Sequence, residues 1–385
     1  MSTDAEQRAP KDAQPIPNAA VELIISIFNA ATRLGTGMPS DIILSPGRPP
    51  QLQISGKLQP LDLPSLSPND TARFAADLVA KNEPAVKRLR EDGSCDVSLS
   101  LPKLARLRAQ VFRQRGTYAI AIRVGQTVIP TLESLQLPAQ MANIANLEHG
   151  LVVVAGGPGS GKSSTLAALI DKINETHAYN IVTLENPIEF LHLHKKSVVH
   201  QRELHSDMVS YEIGMQSALK QGAKVIMLSE LADRQTIELA LSAADSGRLV
   251  LSSINTPTVV RTVERIVSVF APDEQKKVRA SLGRSFQYIV AQQLLPRKEG
   301  HGNVGIFEIL KASSRSRSDV ERGEDWTPIM KLMSEGGQED VQTVDQEIEK
   351  LIRQGTISLE TGLRHTSRPD MLRLELADMD EQENR

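Results

Sequence analysis

Cysteine, aromatic residues and long apolar runs are scarce in this sequence, and each shortage excludes a class of protein. The single cysteine, Cys95, cannot form an internal disulfide, which argues against a secreted disulfide scaffold and favours the cytoplasm. Aromatic residues make up 3% of the chain, so few rings are present on which nucleic-acid bases could stack. No stretch approaches the roughly 20 apolar residues that span a bilayer. We therefore expect no transmembrane segment and expect membrane association only through a partner.

The charge balance also lacks a large excess of either sign. A formal net charge of −3 gives no general attraction to a polyanion, so we expect no direct binding to nucleic acid. A nucleic-acid translocase is therefore disfavoured. The chain does contain 40% hydrophobic residues over 385 positions, which is enough to bury a substantial core and, at this length, favours two domains.

Two patterns of apolar residues divide the chain. Residues 1–17 are rich in proline and acidic residues and are expected to be a disordered leader. In residues 18–130, a helical repeat precedes runs with period-two alternation, which predicts a small α+β domain with antiparallel strands. A proline-bearing linker at 131–148 leads to residues 149–310, where near-continuous apolar strands alternate with helices, as in a parallel sheet of an α/β fold. Residues 311–385 are predicted to be helical and to end in an acidic tail.

A glycine-rich segment follows the first of these apolar strands. Residues 156–163 read GGPGSGKS, which fits the phosphate-binding loop of nucleoside triphosphatases. Glycines let backbone N–H groups wrap an anion, and the following helix turns its positive end towards it. We expect Lys162 to reach the terminal phosphates of ATP and Ser163 to ligate Mg²⁺. The predicted nucleotide-binding residues are Gly156, Gly157, Pro158, Gly159, Ser160, Gly161, Lys162, Ser163 and Ser164.

Three other apolar strands also end in polar residues. Glu185 follows NIVTL, Glu230 follows VIMLS, and Asn255 follows LVLSSI. Because ligands of an open parallel sheet lie beyond the carboxyl ends of its strands, we expect these side chains at one rim with the loop. Glu230 is the candidate for orienting the attacking water, and Glu185 for holding the metal or its waters. Either could instead be a surface acid at a strand end.

The segment between Glu185 and the next strand contains several histidines. His192 and His194 are spaced to share one face of a strand, which makes a metal site conceivable. Without cysteines or a matching pair of carboxylates, we favour a solvated hairpin with Lys195 and Lys196 at its tip.

Eight segments, in order along the chain, carry a resemblance. The sequence resembles the secretion ATPase superfamily of type II and type IV secretion, and within it the PilT-like retraction ATPases of type IV pili, which drive twitching motility. The resemblance spans residues 20–376. The segments are SDIILSPGRPPQLQISGKLQPL, LRAQVFRQRG, GGPGSGKSSTLAALID, TLENPIEF, HQRELHSDMVSY, VERIVSVFAPDEQKKVRASL, QQLLPR and VDQEIEKLIRQGTISLETGLRHTSRPDMLRLEL.

The resemblance implies an architecture and a set of partners. It implies a PAS-like N-terminal α+β domain, a RecA-like P-loop ATPase domain and a helical C-terminal extension, with nucleotide between the two domains. It also implies a cytoplasmic homo-hexamer that docks on an inner-membrane pilus platform protein, alongside related pilus ATPases. Arg108 and Arg123 fall where the family carries arginines that complete the site, and a guanidinium suits a γ-phosphate. Each could instead belong to a solvated strand face.

The sequence departs from the family at this site. Asn186 stands where the family has Asp, Ala232 where it has Arg, and Asn255 where it has His. A histidine can donate a charge-assisted bond to the γ-phosphate, about twice as strong as the neutral bond from Asn. An alternative function is therefore a nucleotide-binding subunit with weakened hydrolysis, a pseudo-motor or accessory paralogue. Asn255 could also simply precede a helix that Thr256 caps and Pro257 begins.

Overall fold

The chain forms two compact units, which divide between Thr127 and Val128. The computed structural model describes residues 19–33, 39–54, 57–80, 82–101, 105–125, 128–299, 302–323, 326–335 and 341–376. The predicted leader and acidic tail lie outside these residues. Within the described ranges, no helix has both the length and the apolar character needed to cross a membrane.

The first unit is built on one antiparallel sheet with three helices among its described residues. These elements are α1 (Ala19–Arg33), β1 (Asp41–Leu44), β2 (Gln51–Ile54), β3 (Lys57–Pro60), α2 (Pro68–Val79), α3 (Glu83–Glu91), β4 (Ser94–Leu101), β5 (Ala105–Gln114) and β6 (Thr117–Val124). The strands pair in the order β3-β2-β1-β6-β5-β4.

Alternation along the strands places one face of this sheet in an apolar core. Ile42 of β1 and Ile122 of β6 are fully buried opposite each other, and they join Phe28 of α1 and Phe74 of α2 in one cluster. Helix α2 is capped by Ser67, whose hydroxyl accepts from the Asp70 N–H in a capping box. The predicted α+β fold is confirmed, while helix α3 was not predicted from the sequence.

A mainly parallel sheet forms the centre of the second unit. Its strands are β7 (Gly150–Ala155), β8 (Asn180–Glu185), β9 (Val198–Glu203), β10 (Val225–Leu228), β11 (Leu249–Ile254), β12 (Phe286–Pro296), β13 (Asn303–Lys311) and β14 (Val341–Gln342). They pair in the order β14-β13-β12-β7-β11-β10-β8-β9, and neighbours from β12 through β9 run parallel. The parallel sheet predicted from near-continuous apolar strands is confirmed.

Both faces of this sheet are covered, which explains why β7 and β11 are buried at every position. The helices of this unit are α4 (Lys162–Thr176), α5 (Tyr211–Lys220), α6 (Arg234–Asp245), α7 (Val259–Ser268), α8 (Pro272–Ser285), α9 (Ser314–Arg322), α10 (Thr327–Glu335), α11 (Val344–Arg353), α12 (Leu359–His365) and α13 (Pro369–Glu375). Val153 of β7 packs in a cluster with α6 and α7 residues, while Val152 and Val154 pack in a second cluster with α4.

The segment predicted as a linker, 131–148, differs from that expectation. It contains a 3-10 helix at Ala139–Asn146. Met141 and Ile144 of this helix are fully buried in an apolar cluster that also contains residues of α4. Its apolar residues therefore make it part of the second unit.

An antiparallel edge is the other departure from the predicted architecture. Strands β12 and β13 form a long hairpin, with Gln292 opposite Phe307, and β14 pairs with β13 inside the region predicted to be helical. Helices were expected throughout residues 311–385. The hairpin places β12 beside β7, directly next to the glycine-rich loop.

The hairpin predicted around Lys195 and Lys196 is wrong. Strand β9 runs parallel to β8, and residues 186–197 form the connection between them. Side chains of β9 bind this connection, because Glu203 accepts from the Ile188 N–H at 3.1 Å and Gln201 from the His192 N–H at 2.8 Å.

Candidate active site

The glycine-rich loop joins the end of β7 to the start of α4. Gly161 is the residue before the helix and has a φ of 89°, in the left-handed region. A Cβ atom on Gly156 would lie 2.3 Å from the Ser160 hydroxyl oxygen and 2.6 Å from the Gln292 carbonyl oxygen. These two positions therefore require glycine, one for its backbone angle and one for space.

Lys162 and Ser163 begin α4 at the end of the loop. The Lys162 ammonium donates to the carbonyl oxygens of Gly156 and Gly157 at 2.7 and 2.9 Å. Burial lowers the pKa of Lys162, while the carboxylates of Glu230 and Glu189 act in the opposite direction. The ammonium thus lies within the electrostatic reach of two acids. The Ser163 hydroxyl donates to a Glu189 carboxylate oxygen at 2.9 Å.

Glu185, the last residue of β8, is buried, with 6% of its surface exposed. One of its oxygens accepts from the Thr183 hydroxyl at 2.6 Å and from the Gln201 amide at 2.9 Å. Burial raises the pKa of the Glu185 carboxyl to about 7, although these two hydrogen bonds and one from the Glu189 backbone lower it. A carboxyl group with this pKa exchanges a proton near neutral pH.

A cavity of 170 Å³ connects these residues. Its lining includes Lys162, Ser163, Glu185, Glu189 and Glu230, so side chains from α4 and from the ends of β8 and β10 meet there. Glu230 is exposed. The rim predicted from the strand ends is therefore present for these acids.

The polar residues at the end of β11 differ in burial and in the groups that they contact. The hydroxyls of Ser252 and Ser253 each donate, at 2.6 Å, to a backbone carbonyl at the end of β10, Leu228 and Ser229 respectively. Asn255 is exposed and is not among the residues that line the 170 Å³ cavity. It does follow Ile254, whose carbonyl accepts from the Gly156 N–H at 3.2 Å, so it lies beside the start of the loop.

The predicted helix start after Asn255 is wrong by two residues. Helix α7 is capped by Thr258, whose hydroxyl accepts from the Arg261 N–H at 3.2 Å. Thr256 is buried and its hydroxyl instead contacts the Thr262 hydroxyl at 2.7 Å. The sequence offers two threonines around Pro257, and packing selects the second as the cap.

Arg108 and Arg123 lie directly opposite each other on β5 and β6 of the first unit. Both are exposed, and each pairs with an acid of the same sheet: Arg108 with Asp96 at 3.5 Å and Arg123 with Asp41 at 3.2 Å. The two arginines and the two carboxylates that pair with them lie on a solvated strand face. Their part in a nucleotide site stays a prediction.

Several residues of the second unit with contacts to this site were missed, among them Glu189, Gln201 and Gln292. Glu189 binds Ser163, Gln201 binds Glu185, and Gln292 contacts the loop from β12. Glu189 could have been found from the sequence, since it is the second acid of the segment ENPIE that also contains Glu185. The two glutamines belong to other strands; they lie in the segments HQRELHSDMVSY and QQLLPR, but nothing in those segments indicates which side chain contacts the site.

A strand, a glycine-rich loop and a helix start, with acids beyond two neighbouring parallel strands, define a P-loop ATPase. Residues 51–364 match the family described as type II/IV secretion system protein. The chain belongs to this family.

Named relatives are similar over most of the chain. A twitching motility protein of Neisseria gonorrhoeae is 36% identical over 324 residues, which are 84% of this chain and 86% of that protein. The type IV pilus retraction ATPase PilT of Pseudomonas aeruginosa is 33% identical over 331 residues, 86% of this chain and 95% of the relative. A solved structure described as the pilus retraction motor PilT with bound ADP is 37% identical, with a TM-score of 0.81 over 90% of this chain and 98% of that one. This structural match supports the fold that the resemblance implies, a PAS-like α+β domain followed by a RecA-like ATPase domain.

Proposed function

We propose that this chain is a motor that hydrolyses ATP to retract type IV pili, the activity behind twitching motility. The observation that carries the catalytic part is the cavity where Lys162, Ser163, Glu185 and Glu230 meet. The pilus part is supported by relatives whose names assign them to twitching and pilus retraction, at 33% and 36% identity. We propose that the working form is a cytoplasmic homo-hexamer docked on an inner-membrane platform protein.

The residues around the cavity divide the work of phosphoryl transfer. The loop N–H groups and the start of α4 bind the phosphates, and Lys162 exchanges the carbonyls of Gly156 and Gly157 for phosphate oxygens. Glu230, exposed at the end of β10, holds and orients the attacking water. In this proposal Glu230, beyond the end of β10, and Lys162, at the start of α4, act on the same cavity from different elements.

The oxygen donors on the β8 side of the cavity fit Mg²⁺. Ser163 and Glu189 are already 2.9 Å apart, and hydroxyl and carboxylate oxygens are the ligands this ion prefers. The ion, when bound, neutralises charge on the β- and γ-phosphates. Ser163 would ligate the Mg²⁺ ion, and Glu185 would hydrogen-bond the water molecules bound to the ion.

An ATPase assay on purified full-length protein tests the catalytic part. We expect Mg²⁺-dependent turnover that rises steeply with protein concentration if the active form is an oligomer, while Lys162→Ala abolishes nucleotide binding. Light scattering with and without ATP measures the number of subunits. No Mg²⁺-dependent turnover at any protein concentration would contradict a motor.

Deletion of the gene in the source organism tests the pilus part. The deletion strain should retain surface pili but lose twitching, and the wild-type gene should restore movement while a Lys162→Ala gene should not. Unchanged twitching in the deletion strain would contradict a retraction role and leave the ATPase assignment intact.

A further inference from the structure

One buried side chain bridges the phosphate loop and the helix that follows it. Gln292 of β12 is 3% exposed. Its amide nitrogen donates to the Ser160 carbonyl at 2.7 Å, and its amide oxygen accepts from the Thr165 hydroxyl at 2.9 Å. Ser160 belongs to the loop and Thr165 to the first turn of α4. Gln292 thus connects the two parts that together receive a phosphate.

The chemistry of the bridge suits an amide. Ser160 presents a backbone acceptor and Thr165 a hydroxyl donor, so the side chain between them must donate at one atom and accept at another. A carboxylate could not donate to the carbonyl, and an apolar side chain would leave two buried polar groups without partners.

The backbone of β12 contacts the loop at the same place. A Cβ atom on Gly156 would lie 2.6 Å from the Gln292 carbonyl oxygen, and one on Gly161 would lie 3.2 Å from the Gln292 amide nitrogen. The first and last glycines of the loop therefore both pack against this one residue. Ala291, the preceding residue, pairs with Ala155 at the end of β7, so the strand that carries Gln292 is hydrogen-bonded to the strand that carries the loop.

We propose that Gln292 is a positioning residue for nucleotide binding: it holds the phosphate loop in the shape that its ligand needs. The proposal rests on the phosphate-loop site proposed above. Gln292 acts through the loop and makes no contact of its own with the phosphates. Its loss should weaken binding of any ligand that the loop holds by its phosphates, with a smaller effect on the turnover of bound ATP.

The test is Gln292→Leu in the full chain, with Gln293→Leu as the matched control. Gln293 is the next residue of the same strand and lines a different groove, with Val260 and Met330. Affinity for ADP is measured by calorimetry, the inhibition constant of inorganic pyrophosphate by competition, and kcat and KM by ATPase assay. The inhibition constant of pyrophosphate reports only on phosphate binding by the loop, because pyrophosphate carries neither base nor ribose.

We expect Gln292→Leu to weaken ADP and pyrophosphate binding by the same factor, about tenfold, with KM raised and kcat changed by less than about threefold. Gln293→Leu should leave all four values near those of the wild type. If Gln292→Leu does not fold, Thr165→Val removes the donor on the other side of the bridge and should weaken pyrophosphate binding about threefold.

Two results overturn the proposal and are distinguishable from failure of the site itself. A folded Gln292→Leu protein with unchanged affinities, or with a reduced kcat and unchanged affinities, shows that Gln292 does not position the loop. If Lys162→Ala also leaves ADP affinity unchanged, the phosphate-loop site is wrong, and the proposal for Gln292 is wrong with it.

Discussion

The ends of β8 and β10 look alike in the sequence and differ in the structure. These strands are parallel neighbours, with Leu184 opposite Leu228. Glu185 is the last residue of β8, and Glu230 comes two residues after the end of β10. Glu185 is buried, hydrogen-bonded by Thr183 and Gln201, and has a pKa near 7, whereas Glu230 is exposed.

The two strands differ in the segment that continues the chain beyond each of them. After Glu185, the connection to β9 is bound by Gln201 and Glu203, which hold it beside the Glu185 carboxyl. After Glu230, the chain turns directly into α6, which Asp233 caps. Two acids at the ends of neighbouring strands can therefore take different roles, because their solvation differs.

The largest effect is expected from Glu230→Gln. The amide keeps the size of the side chain but cannot accept a proton or orient water as a carboxylate does, so we expect turnover to fall about 10²- to 10⁴-fold. ATP affinity should change little because the phosphates are bound by the loop. Steady-state turnover together with nucleotide titration measures both; turnover within a few fold of the wild type would assign the water to another acid.

Glu185→Gln should have a smaller and different effect. The amide oxygen can still accept from Thr183 and Gln201, but the charge is lost beside the Mg²⁺ site. We expect the Mg²⁺ concentration for half-maximal turnover to rise about 10- to 100-fold, whereas Glu230→Gln should leave it unchanged. Rates across a Mg²⁺ series measure this. Equal Mg²⁺ requirements in both variants would remove the distinction between the two strand ends.

His192, in the connection between β8 and β9, should make the stability of the folded protein depend on pH. Burial lowers the pKa of its imidazole to about 4, although Asp171 acts in the opposite direction. At pH values between the ordinary pKa of 6.5 and the folded-state pKa of about 4, the unfolded chain binds a proton at His192 that the folded chain does not. The free energy of unfolding therefore falls as the pH falls through this interval.

We expect wild type to lose about 2 kcal/mol more than His192→Gln between about pH 7.5 and about pH 5. Denaturant unfolding of both proteins at each pH measures the loss. His200→Gln, at an exposed position of β9, serves as the control and should follow the wild type. A His192→Gln protein with the wild-type slope would mean that the imidazole is protonated in the folded chain.

The smallest effect is expected from Asn255→His, on a third strand end of the same sheet. A charge-assisted bond to the γ-phosphate in place of a neutral one should raise turnover about fivefold. An increase would support weakened hydrolysis in this chain. No increase would fit the exposed position of Asn255 outside the cavity lining.

Local patterns in the sequence indicated the loop and the strand ends that form the candidate site. The phosphate loop is a contiguous segment whose glycines and helix start act within a few residues of each other, and Glu185 and Glu230 were found because a parallel sheet aligns its strand ends. The antiparallel β12–β13 hairpin was not predicted, and β14 pairs with it inside residues 311–385, which were expected to be helical.

The sequence by itself determined the loop, the alternation of apolar strands with helices, and which acids could stand at the rim of the sheet. Only the tertiary structure decided which acid is buried and which residues hold the loop. Gln292 lies 132 residues from Ser160, and Gln201 lies 16 from Glu185. Burial and hydrogen bonding depend on partners that are distant in the chain, so a side chain's pKa and its role are properties of the folded neighbourhood.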